Sequence, residues 1–180
     1  RRLIASANSC PMPFCPSIWG EMNPQSPKLT LHSYQRCPFA IRVRMVLAEL
    51  KIPHQLIEED LNSFSPELLR LHPEGRVPLL VLHHEGKESA IYESSIITEF
   101  LATEFLATEC LTDGSQLIPN SPLERAQARL WTYWCDHVFK PDLDLFKYEF
   151  SSLSESEKSE LQSRLRNHFS KWDEALKPGP

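Results

Sequence analysis

Three pairs of residues in this chain have the types and spacing to do chemistry together: Cys37-Pro38, Val77-Pro78 and Glu93-Ser94. Pro38 suits the first position of a helix, where no amide proton is needed and its φ is already helical. The spacing therefore predicts Cys37 as the residue that begins the helix. A sulfur there faces unpaired backbone N–H groups and the positive end of the helix dipole, and both favour thiolate over thiol. Cysteine is a poor cap beside Ser, Thr, Asp or Asn, so capping alone does not account for it. Val77-Pro78 heads an apolar run. A cis bond there would turn the Val77 N–H and C=O outward to pair with a peptide-like ligand. A trans edge proline is the plainer alternative, cis being only about 5–6% of X–Pro bonds. Ser94 opens a helix. It either caps it or, with the adjoining amides, receives a ligand carboxylate while Glu93 pairs with an ammonium.

The elements that must position these residues follow from periodicity. Leu29 and Leu31 alternate with polar neighbours and predict a strand. Phe39, Val43, Val46, Leu47 and Leu50 mark the buried face of the first helix. A second strand over His54–Glu58 implies a right-handed crossover and parallel pairing. Ser65-Pro66 starts a short helix, Gly75 reverses the chain, and Leu79–Leu82 and Ala90–Tyr92 form a hairpin about the turn at His84–Lys87. The order β-α-β-α-β-β-α predicts an α/β domain with a four-stranded mixed sheet and helices on both faces, followed by an all-α part. In that second part Ser121-Pro122-Leu123-Glu124 and Ser154-Glu155-Ser156-Glu157 read as capping boxes. Leu123, Ala126, Gln127, Leu130, Trp134 and Val138 form one stripe, Lys140-Pro141 is expected to break the helix, and the Trp residues are expected in the core. Phe100–Glu104 is repeated at once as Phe105–Glu109. Five residues is not an α-helical period, so both copies are not expected to bury Phe-Leu on one face. Either the helix runs on or one copy loops out.

Size and composition narrow the classes. The 180 residues allow one large domain or two small ones. A net charge of −5 argues against the clustered basic surface that nucleic acid needs. No apolar run reaches the length of a membrane span. The five cysteines are scattered, which fits a reducing, cytoplasmic setting better than a disulfide framework. Cys10 and Cys15 have no His or Cys neighbours to complete a metal site, so no metal is expected. Residues 1–27, interrupted by Pro11, Pro13, Pro16, Pro24 and Pro27, are expected to be a disordered tail. Residues 28–109 form the α/β domain in this reading, 110–121 a linker and 122–180 a short helical domain.

Cys37-Pro38-Phe39-Ala40, the Arg42-Val43-Arg44 that follows, Val77-Pro78 and Glu93-Ser94 occur in the order seen in the glutathione transferase superfamily, and the chain resembles it over about residues 28–150. The resemblance implies a thioredoxin-like N-terminal domain and an all-α C-terminal domain. It is nearest to the cysteine-type members, the omega class and the dehydroascorbate reductases. The plant tau class has a similar motif with Ser in place of this Cys. The resemblance implies that Cys37 is the catalytic thiol and that Phe39 contacts glutathione. It implies that Val77, before a cis Pro78, pairs with the cysteinyl backbone, and that Glu93 and Ser94 hold the γ-glutamyl end. Ala40 stands where dithiol relatives carry a second Cys, which implies a monothiol cycle resolved by a second glutathione. The expected partners are glutathione and a small electrophilic or disulfide substrate, in a homodimer. Two departures stand out. The omega class meets the glycyl carboxylate with a Lys that Asn62-Ser63-Phe64-Ser65 lacks, leaving Arg76 or a backbone group to substitute. The helical part is also shorter than the family's, as in a fragment or a protein with an open acceptor site. The alternatives are a non-enzymatic binding protein resembling stringent starvation protein A, which acts on RNA polymerase and generally lacks this Cys, and conventional conjugation of electrophiles.

Overall fold

The computed structural model describes residues 27–105 and 117–177. Strands β1 (Lys28–Ser33), β2 (Gln55–Glu58), β3 (Leu79–His84) and β4 (Lys87–Tyr92) form one sheet in the order β2-β1-β3-β4. β1 runs parallel to β2 and antiparallel to β3, and β3 is antiparallel to β4. This is the mixed sheet that the alternation of elements predicts.

Helices α1 (Pro38–Glu49), α2 (Pro66–Leu71) and α3 (Ser94–Phe100) cover both faces. The pleat divides the core accordingly. Leu80 joins Leu29, Leu31, Val43, Leu47 and Ile97 on the face under α1 and α3. Its neighbours Leu79 and Val81 point the other way and pack with Leu68 of α2. The β3–β4 turn has positive φ at both Glu85 and Gly86, the type I′ geometry that matches strand twist. Gly75 ends the α2 connection at φ 58°, and a Cβ there would lie 2.8 Å from Leu69 Cδ2, so the reversal requires glycine.

The repeated pentapeptide is resolved differently from the α-helical expectation. α3 passes directly into a π-helical turn, Leu101–Phe105. Bonding from i to i+5 brings residues five apart onto one side. Phe100 and Phe105 accordingly lie with ring centroids 6.2 Å apart, and Phe105 joins the same core as Leu101. The start of the second copy thus buries beside the first. Its remainder, 106–109, lies outside the described residues, as do residues 1–26 of the tail expected at 1–27 and most of the linker.

The helical part begins with α4 (Pro122–Trp134), which continues through a π turn at Cys135–Phe139 into α5 (Lys140–Asp144). Lys140-Pro141 does not break the helix as expected: Trp134, Phe139 and Lys140 all keep right-handed helical angles. The wider turn ahead of the proline accommodates the missing N–H. A further π turn, Leu145–Glu149, and a 3₁₀ turn lead to α6 (Glu155–Ala175), whose capping box between Ser154 and Glu157 is formed as its sequence predicts. Ser121 stands at the start of α4, but its side chain makes no cap bond. The stripe of α4 is not a buried face: Leu123 is 69% and Leu130 66% exposed. The contacts come from Trp134, which meets Trp172 and His168 of α6 edge-on. Asp142 accepts from Arg164 and His168 and ties α5 to α6. Among the described residues, no helix is long and apolar enough to cross a membrane.

Candidate functional site

Sheet register brings the three motifs to one edge. His32 pairs with Leu79 and Leu79 with Tyr92, so the ends of β1 and β4 flank the head of β3. The β1–α1 loop, Val77-Pro78 and Glu93-Ser94 therefore share one end of the sheet. Cys37 begins α1 in an extended conformation, with Pro38 following and no side-chain cap bond. Its sulfur is half-buried and stands 3.9 Å from the Val77 carbonyl oxygen. The Val77–Pro78 bond is cis.

Glu93 and Ser94 behave differently from each other. Glu93 is exposed at φ 68°, a region that non-glycine residues enter at a cost and that concentrates at functional sites. Ser94 is 4% exposed, and its hydroxyl oxygen accepts a 3.0 Å bond from Arg42 Nη1. Among the described residues its hydroxyl proton has no acceptor. The Phe39 ring has the Arg42 guanidinium 5.8 Å and the Lys140 ammonium 5.5 Å from its centroid. Arg76, a candidate for the glycyl carboxylate, is bound 2.8 Å from Glu74 on the surface. Asn62 and Ser63 are exposed, and the Asn62 backbone N–H is spent on Asp60.

Two groups of residues escape a reading of the sequence. Arg42 bonds Asp136 through both terminal nitrogens, at 3.1 and 2.5 Å, while holding Ser94. A helix residue that lies off the core face thus links α3 to the helical part. Its spacing five residues after Cys37 is visible in the sequence, but its partner 94 positions away is not. Replacing Arg42 by Met is expected to cost about 2 kcal/mol, because Asp136 loses a two-point partner in a half-buried place. Lys at 42 should recover only part, lacking the planar fork. Urea denaturation monitored by tryptophan fluorescence measures both, and a change under about 0.5 kcal/mol for Arg42→Met would refute the link.

The second group lies beneath the loop. His32 is fully buried and donates from Nδ1 to Glu59 Oε1 at 2.6 Å. Glu59 also accepts from the Ser65 N–H at 2.8 Å and the Ser65 hydroxyl at 2.6 Å. Burial pushes the Glu59 carboxyl up, and the bonds from Ser65 and His32 outweigh it, leaving the group below its ordinary value. The other cysteine among the described residues, Cys135, has its thiol pushed up by burial, with Asp136 adding to the effect. Among the described residues no cluster of three or more His, Cys, Asp or Glu could hold a metal ion.

Known proteins are similar to this chain in sequence and fold. Residues 36–104 match the glutathione S-transferase N-terminal domain. The chain is 33% identical over 143 residues to glutathione S-transferase 3 of Glycine max, covering 79% of this chain and 59% of that protein. Among solved structures, the Tau class glutathione S-transferase of mango, Mangifera indica, is 25% identical with a TM-score of 0.69, covering 82% of this chain and 61% of that one. Glutathione transferase Omega 3C of Trametes versicolor is 25% identical with a TM-score of 0.68, covering 88% and 62%. The chain thus spans little more than half the length of the curated relatives it matches. The match at 36–104 and the thioredoxin-like sheet mark the α/β part as a glutathione S-transferase N-terminal domain, and with these relatives the chain is similar to the glutathione S-transferase superfamily.

Proposed function

We propose that this protein is a glutathione-dependent thiol transferase of the cysteine type, in which Cys37 forms a mixed disulfide with glutathione. The observation that carries the reading is the place of the Cys37 sulfur. It begins α1, is not spent on capping, and lies within 3.9 Å of a backbone carbonyl that neighbours a cis proline. Relatives in which a Ser occupies this position can only hydrogen-bond the glutathione sulfur, whereas a thiolate here attacks sulfur.

In the cycle, Cys37 S⁻ attacks the glutathionyl sulfur of a mixed disulfide GS–SR. A Cys37–SG bond forms, the S–S bond breaks, and RS⁻ leaves and takes a proton from solvent. A second glutathione, as thiolate, then attacks Cys37–SG, releasing oxidised glutathione and restoring Cys37 S⁻. Two electrons pass from glutathione to the substrate and no metal is required. Val77 offers its backbone N–H and C=O to the cysteinyl unit. Ser94, held by Arg42, donates its free hydroxyl proton to the γ-glutamyl carboxylate, and Glu93 meets the ammonium. Phe39 closes the glutathione side of the site. The protein acts in this reading as a cytoplasmic homodimer.

Oxidised glutathione should add the mass of one glutathionyl group to the protein, and peptide mapping should place it on Cys37. Reduced glutathione should remove it. An intact protein that is retained on a glutathione column but never gains the adduct would instead be a conjugating enzyme.

A further inference from the structure

The β1–α1 loop carries, next in sequence to Cys37, a cation that the thiol-transfer cycle does not use. Arg36 immediately precedes Cys37, and its Nε and Nη2 donate to the Tyr34 hydroxyl at 3.1 and 2.8 Å. Its guanidinium also sits 5.7 Å from the centroid of the Tyr34 ring. Arg42 and Lys140, the cations around Phe39 in the next turn, are each held by a carboxylate, Asp136 and Asp144. Arg36 has no carboxylate partner among the described residues. Glu58, at the end of β2, accepts the Gln35 backbone N–H at 2.5 Å. Holding a guanidinium on a phenol orients it without neutralising it, since the phenol is uncharged near neutral pH.

We propose that Arg36, steadied by Tyr34, selects acceptors whose leaving thiol carries a carboxylate or other anionic group. This rests on the thiol-transferase reading. With the glutathionyl half on Val77, Glu93 and Ser94, the other half leaves past the β1–α1 loop, where Arg36 directly precedes Cys37. A guanidinium binds a carboxylate through two parallel N–H bonds and tolerates an aromatic face beneath it. It also attracts an anionic substrate before contact and stabilises the departing negative group.

The test uses three mixed disulfides of glutathione, made with 3-mercaptopropionate, 2-mercaptoethanol and cysteamine. Their variable halves carry charges of about −1, 0 and +1 at neutral pH, and the glutathionyl half is the same throughout. At low ionic strength, kcat/KM should rank anion, neutral, cation, with the anion favoured over the neutral compound about fivefold. The preference should shrink as salt shortens the screening length. In Arg36→Gln the ratio of anion to neutral should fall toward one, whereas Arg36→Lys, which keeps the charge, should retain most of it and shows that the loop tolerates substitution. Equal turnover of all three compounds by the unaltered protein would refute the selection and leave the thiol-transferase reading standing. A ratio that survives Arg36→Gln would do the same. Failure of all three compounds, with no adduct on Cys37, would overturn both.

Discussion

Cys37→Ser is expected to lower the turnover of glutathione mixed disulfides by about 10³-fold or more, because the attacking atom itself is removed. A serine hydroxyl is not ionised near neutral pH and does not attack sulfur, so the mixed-disulfide intermediate cannot form. Damage to the fold would not produce such a loss. Cys37 makes no side-chain cap bond to α1, so removing its sulfur takes nothing from the helix. Ser is the better cap, and thermal stability should hold or rise slightly. Cys135 is a poor substitute, since burial and Asp136 push its thiol up, away from the nucleophilic thiolate. A serine can still donate to a glutathione thiolate, so the variant is expected to keep glutathione binding and to gain some conjugation of an aryl halide. Single-turnover kinetics with a glutathione mixed disulfide, run beside a conjugation assay, separate the two chemistries. Residual disulfide exchange within tenfold of the unaltered protein would remove Cys37 from its role.

Much of this arrangement is legible in the sequence. Strand alternation and the α1 stripe give the sheet and its first helix because the α/β part buries its apolar residues on the faces their periods predict. Leu31, Val43 and Leu80 are all fully buried. Cys37-Pro38 is legible because helix starts have local rules. What escapes is long in sequence and short in space. Arg42–Asp136 spans 94 positions and His32–Glu59 spans 27, and no local pattern encodes either. An α-helical period also misreads the helical part, because π turns at Cys135–Phe139 and Leu145–Glu149 displace its register. The first turn moves Val138 out of register with the stripe, while Leu123 and Leu130, in the regular helix ahead of it, are exposed because no described element packs over them.

The largest effect on stability is expected at Glu59, a residue 4% exposed just after the end of β2. Its carboxylate collects the His32 Nδ1–H, the Ser65 N–H and the Ser65 hydroxyl. Ser65 in turn accepts the Leu68 N–H and begins α2. Glu59→Ala strands three donors at once, in a place where His32 Nε2 already lacks a hydrogen-bond partner. With each unsatisfied buried donor costing about 1–3 kcal/mol, the loss should exceed about 3 kcal/mol. At a urea slope of about 1–3 kcal/mol per molar, the midpoint would fall by about 1–3 M. Glu59→Gln keeps an acceptor oxygen and should lose about half as much. The pH dependence separates charge from shape. The folded carboxyl lies below its ordinary value of 4.5, so its stabilisation is complete above that value and is lost as pH falls through the lower folded one. Glu59→Gln should flatten that acid limb while leaving the neutral-pH slope alone. The same carboxylate holds Ser65 at the start of α2, in the Asn62-Ser63-Phe64-Ser65 stretch that the proposed reading sets against the glycyl carboxylate of glutathione. Glutathione affinity should therefore fall in Glu59→Ala even at temperatures where the protein remains folded. A Glu59→Ala midpoint within about 0.3 M of the unaltered protein would mean that water, not this network, satisfies the three donors.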